Sequence, residues 1–89
     1  MRFLDAAAVA GLLDRPALID ALDAAFRSDI TVPVRHHHTL TEPQGRDSTL
    51  LLMPAWDNQA FIGIKIATIM PDNAARSLPA VQATYMLLD

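Results

Sequence analysis

One lysine stands alone in the most apolar stretch of this chain of 89 residues. In "FIGIKIATIM", Phe61 to Met70, Lys65 is the sole charge. An ammonium there must carry its head to water along the four-carbon stem, or sit in a pocket with an acidic partner. A lysine removed from water loses its proton more readily, which suits it to proton transfer or to polarising a C=O or C=N group. Gly63, two residues back on the same strand face, omits a side chain and offers room for a ligand. The plainer alternative is a lysine that snorkels from an edge strand.

A second cation lies in "VPVRHHHTL", Val32 to Leu40. The guanidinium of Arg35, on a strand between valines, can grip a carboxylate through two parallel N–H bonds. The alternative is a surface ion pair with Glu42 or Asp47. Alternation places His36 and His38 on one face and His37 on the other. A metal would need a third ligand, so the triplet reads as polar strand surface beside a pocket, with no metal assigned. Three internal histidines are too few for a purification tag.

These groups need elements to hold them. Asp5 can cap a short helix over Ala6 to Leu13. Asp14 and Pro16 start another, to about Ser28, in which Leu18, Ile19, Leu22, Ala25 and Phe26 line one face. That face is expected to lie on a sheet. Thr31 to Leu40 reads as extended, with Pro33 marking an edge or strand start. Glu42 to Asp47 is a loop, Ser48 to Met53 a strand, and Pro54 to Asn58 a turn. Phe61 to Ile69 alternates, with Ile62, Ile64 and Ile66 opposite Gly63, Lys65 and Ala67. Pro71 to Pro79 is an irregular connector in which Asp72 could cap a turn from Asn73 and Arg76 is open to an anion. Val81 to Leu88 is a last strand. The expected fold is α/β of an α+β-like kind: two amino-terminal helices packed on a mostly antiparallel sheet.

Composition narrows the function. Hydrophobic residues make up 52% and charged residues 19%, which excludes a disordered tail. So apolar a short chain is expected to cover surface with a partner domain or a second copy. A formal net charge of −3 with scattered Lys and Arg argues against nucleic acid. Trp56 and Tyr85 are too isolated for base stacking. No cysteine is present, so thiolate metal sites and disulfides are excluded. No secretory signal or membrane-spanning run is visible, and a cytoplasmic location is expected. No G-x-G-x-x-G, P-loop, G-x-S-x-G or H-E-x-x-H occurs, so no glycine-rich turn is present to bind a dinucleotide.

The ordered set "PVRHHHTL", "TLLLMPAW" and "FIGIKIATIMPDNAARSLPAVQATYMLLD" resembles the amino-terminal part of the ornithine cyclodeaminase/mu-crystallin family, most strongly from Pro33 to Asp89. The resemblance implies NAD(P)-dependent chemistry on α-amino or cyclic α-imino acids. Ornithine cyclisation to proline with ammonia release, ketimine or pyrroline-2-carboxylate reduction, and alanine dehydrogenation all belong to it. It further implies a substrate-binding and dimerisation domain, residues 1–89, a Rossmann domain outside this chain, and a homodimer. On this resemblance Arg35 binds the substrate carboxylate, Lys65 contacts the substrate near the reacting carbon as the catalytic residue, and Met53 lines the pocket. The family's later arginine, catalytic aspartate and glycine-rich loop would fall beyond Asp89. The 89 residues are therefore expected to form a fragment, inactive alone and without its own cofactor. The competing reading is a non-enzymatic dimerisation or ligand-binding module. The sharpest expectation is geometric: Arg35 and Lys65 should converge on one carboxylate-sized site.

Overall fold

Each helix begins at an aspartate, and the reason is visible in the hydrogen bonds. The computed structural model describes residues 1–58 and 60–89. Helix α1 spans Ala6–Leu12, and the Asp5 carboxylate accepts the Ala8 N–H at 2.8 Å. Helix α2 spans Arg15–Arg27, and Asp14 accepts the Ala17 N–H at 3.2 Å. Both caps satisfy a first-turn donor that the helix itself cannot. Pro16 sits in the first turn of α2, where its missing N–H costs nothing. At the far end the Ser28 hydroxyl donates to the Ala25 carbonyl at 2.7 Å.

Five strands form one antiparallel sheet: β1 Ile30–Thr31, β2 His36–Leu40, β3 Ser48–Asp57, β4 Ile62–Ile69 and β5 Val81–Leu88. Strand β3 organises it. β4 pairs along one side of β3, while β2 and β1 pair with its two ends on the other side. β5 pairs with β4 and closes the order at that edge. The class expected from the sequence, helices with a mostly antiparallel sheet, is the class observed.

Two expectations about strands are corrected together. The extended run 31–40 is split: Thr31 pairs with Trp56 and His36 with Leu52, so residues 32–35 run against only 53–55. That single extra residue makes the segment bulge-like. Across from it β3 continues straight through Pro54, where a turn was expected, and pairs Pro54 with Ile64. The missing proline N–H is tolerable because the ladder to β1 and β2 is interrupted at this place. The reversal comes later, where Asp57 accepts the N–H groups of Ala60 and Phe61 at 2.6 and 3.0 Å.

The helices and the sheet are thinly joined, and here the seating of α2 on the sheet is corrected. Leu18, Ile19, Leu22 and Phe26 are all exposed, Phe26 at 89%. Among the described residues the one buried apolar side chain is Ala67, on β4. The accessible surface is 7572 Å². A compact chain of this mass would expose about 5,100 Å². The Cα radius of gyration, 16.2 Å, likewise exceeds the roughly 12 Å of a compact chain this long. The apolar stripe of α2 is correctly formed, but this chain alone supplies too little to cover it.

A connector locks the end of the sheet. Pro71–Arg76 is a 3-10 helix, and Ser77 ends it in the left-handed region at φ 57°. Asp72 does not cap it. Its carboxylate instead accepts the Arg46 backbone N–H at 2.8 Å and the Arg46 Nε at 3.0 Å, while Arg46 Nη2 reaches the Pro71 carbonyl at 3.1 Å. A Cβ on Gly45 would stand 2.5 Å from that carboxylate, so a glycine is what allows the loop so close. Asn73, 5% exposed, donates to the Pro79 carbonyl and accepts from Arg76, whose side chain otherwise stays exposed.

The backbone N–H of Arg46, then its guanidinium, hold the Asp72 carboxyl below its ordinary value. A depressed folded-state pKa stabilises above the unfolded value and loses that contribution as pH falls through the folded one. We expect Asp72→Asn to lower the thermal midpoint slightly at neutral pH. The gap to wild type should close as pH drops below about 4, the unfolded aspartate range. A gap that persists in acid would mean that the charge of Asp72 is not what the clasp uses. The pair is exposed, so added salt should also narrow the gap.

Candidate functional site

Register decides which side chains can meet. In an antiparallel ladder, directly opposed residues project to the same face. Met53 of β3 is opposite Lys65 of β4, and Lys65 is opposite Tyr85 of β5. These three make one row across the sheet. His37 shares their face through Leu51 and Ala67 in the adjoining row. The other face carries Leu50, Leu52, Trp56, Ile62, Ile64 and Ile66, with His36 and His38 at its β2 border.

Arg35 sits one residue before β2, in the bulge-like segment. The paired register of β2 begins at His36, opposite Leu52, so Arg35 lies just outside the ladder, at the end of β2 nearest Met53. Neighbouring strands are about 4.8 Å apart. Lys65 is therefore one strand spacing from Met53, while β2 and the Arg35 before it run along the opposite side of β3. Bulges commonly re-aim a side chain beside a site, and Arg35 is at the end of one.

Both cations are exposed. Among the described residues the ion pairs are Arg27–Asp23 and Arg46–Asp72, so neither Arg35 nor Lys65 has an acidic partner. The alternatives weighed for Arg35 have other work. Asp47 accepts the Glu42 N–H at 3.1 Å, and Glu42 accepts the Gln44 N–H at 3.2 Å. Exposure of Lys65 also means that the desolvated setting imagined for it is not built by this chain alone. Two positive groups thus stand exposed, Lys65 within β4 opposite Met53 and Arg35 just before β2, with no acidic partner among the described residues.

Two residues read differently in place. Gly63 is buried, but its space is not open: the Tyr85 hydroxyl and ring carbons lie where a Cβ on Gly63 would be. Tyr85 is thus a neighbour of both Lys65 and Gly63, which the sequence reading considered only for base stacking. An aromatic residue in an apolar strand ordinarily signals packing. The clue was its position two strands from Met53 in a row that includes the lone lysine.

The histidines divide as alternation requires. His36 and His38 rings stand with centroids 5.7 Å apart and planes at 52°. That spacing suits two imidazoles on one metal, but they lie on the face away from Lys65. No set of three or more His, Cys, Asp or Glu able to hold a metal occurs among the described residues. No helix there is long and apolar enough to cross a membrane.

A two-helix, antiparallel-meander domain with Lys65 exposed on one sheet face is the class that the fold defines. The sequence profile of the ornithine cyclodeaminase/mu-crystallin family matches residues 1–89, and the chain belongs to that family. An uncharacterised protein of Schizosaccharomyces pombe is 30% identical over 91 residues, covering 99% of this chain and 28% of its own length. An archaeal alanine dehydrogenase dimer with bound NAD superposes with a TM-score of 0.74 at 25% identity, over 94% of this chain and 26% of that one. The Δ1-pyrroline-2-carboxylate reductase of Thermococcus litoralis, in complex with NADH and L-proline, gives a TM-score of 0.76 at 24% identity, over 100% and 28%. The chain thus spans about a quarter of the length of these relatives.

With only two converging imidazoles, zinc should bind no more tightly than to ordinary surface histidines. Zinc titration followed by calorimetry is expected to give the same weak isotherm for wild type, His36→Ala and His38→Ala. A stoichiometric site abolished by either change would overturn this.

Proposed function

We propose that residues 1–89 are the substrate-binding and dimerisation domain of an NAD(P)-dependent enzyme acting on an α-amino or cyclic α-imino acid. What supports this is membership of the family over residues 1–89, together with two exposed cations, Lys65 opposite Met53 and Arg35 just before β2, neither with an acidic partner among the described residues. Arg35 holds the carboxylate in two-pronged fashion. Lys65 sets its ammonium beside the α-substituent, where it orients the nitrogen or carbonyl end and stabilises charge that develops there. Met53 forms the apolar floor. Reduction of pyrroline-2-carboxylate or a related ketimine is the reaction we favour, with ornithine cyclisation to proline the alternative within the same chemistry.

This chain's residues do not fit the dinucleotide. Its sheet is antiparallel throughout, and its three glycines are Gly11, Gly45 and Gly63, far from a glycine-rich turn. NAD(P) would be held by a Rossmann domain outside residues 1–89, so we derive no step through it. The surplus of roughly 2,400 Å² over a compact chain supports a homodimer in which this domain is an interface, since obligate dimers bury areas of that order. The same surplus favours a second reading, a non-enzymatic dimerisation or ligand-binding module. A reading frame without a glycine-rich nucleotide loop would point to that module.

The test uses the full chain that the reading frame encodes, assayed with NADH and NADPH against pyrroline-2-carboxylate and ornithine. Lys65→Ala is expected to cost about 100- to 1,000-fold in kcat, with a nearly unchanged thermal midpoint. Arg35→Lys should raise KM by roughly 10- to 100-fold, the worth of one charged hydrogen bond. Parallel losses of activity and thermal stability in Lys65→Ala would refute the catalytic role.

A further inference from the structure

We infer that Tyr85, seated on Gly63, is the wall that sets how bulky a side chain the bound acid can carry. This deepens the acid-binding reading above and rests on it. Tyr85 is the next member of the row, directly opposite Lys65. Its ring does not stack over the lysine but leans along the sheet, two residues away, into the place a side chain at 63 would fill. The two positions are therefore complementary: any residue larger than glycine at 63 must dislodge the ring.

The lean has a chemical result. It puts an aromatic barrier between the lysine and a shallow apolar depression. That depression measures about 170 Å³ and is lined chiefly by Ile30, Ala55, Phe61, Gly63, Tyr85 and Leu87. Asp57 also borders it, but the Asp57 carboxylate accepts the Ala60 and Phe61 N–H groups. An acid anchored by its carboxylate over Met53 must turn its side chain either up from the sheet or toward Tyr85. With the ring seated, a short aliphatic chain or a small saturated ring stays clear of it, and a bulkier side chain directed that way meets the ring. Tyr85 is 63% exposed, so its ring is free to meet a bound side chain. Glycine at 63 supplies its seat.

The experiment measures kcat/KM for the full chain with its nicotinamide cofactor in the oxidative direction. Its substrates are L-alanine, L-proline, L-pipecolate and L-phenylalanine. Wild type is compared with Tyr85→Phe, Tyr85→Leu, Tyr85→Ala and Gly63→Ala, each checked by thermal melting. Tyr85→Phe should keep the wild-type ranking, because the wall is steric. Tyr85→Ala should favour the bulkiest acid over alanine by about tenfold or more relative to wild type, the scale of one or two methylenes in a pocket. Gly63→Ala should shift the ranking the same way by unseating the ring, without touching Tyr85 itself. If Tyr85→Ala fails to fold, Tyr85→Leu carries the same reading at smaller amplitude. An unchanged ranking in folded, active Tyr85→Leu and Gly63→Ala proteins would sink the wall and leave the acid-binding reading standing. A wild-type protein that neither turns over nor binds any of the four acids, by calorimetry, would sink both.

Discussion

The alignment of β3 with β4 is the constraint on which the rest depends. Side chains alternate along a strand, so a slip of one residue would send Lys65 to the face of Ile64 and Ile66. The slip is resisted from both sides. On one face the isoleucines meet Leu50, Leu52 and Trp56; on the other, the small residues Gly63 and Ala67 flank the lysine. An exchange of faces would set apolar bulk among the polar groups and leave a cation on the apolar side. The site is thus specified by hydrophobic patterning before any polar contact is made.

The parts of this arrangement that are local were readable in the sequence. Asp5, Asp14 and Pro16 announce helix starts because capping needs only neighbours within four residues. The alternation of 61–69 gave the faces of β4, and the isolated charge drew attention to Lys65. What could not be read depends on residues far apart. Pro54 looks like a breaker unless one knows that the facing ladder is already interrupted there. The partner of Asp72 is 26 positions away, so a capping role was the natural guess. The space at Gly63 looked open because nothing in sequence says that a tyrosine 22 residues later lies across it.

The distribution of burial is the other message of the fold. Strand β3 is half-buried along its whole length, yet the helices and β5 are almost entirely exposed. Such a pattern fits a module that contributes one wall to a larger cavity. The hydrogen-bonded frame of the sheet is complete within the chain, while the hydrophobic burial that would make it rigid is not.

The bulge before β2 carries a consequence for how such a site can diversify. Arg35 hangs from an irregular segment, whereas Lys65 is built into an unbroken ladder. Lengthening or shortening residues 32–35 would move the guanidinium by ångströms and leave the lysine where it is. The reach of one cation can therefore be adjusted at a single irregular stretch while the position of the other is held by the ladder.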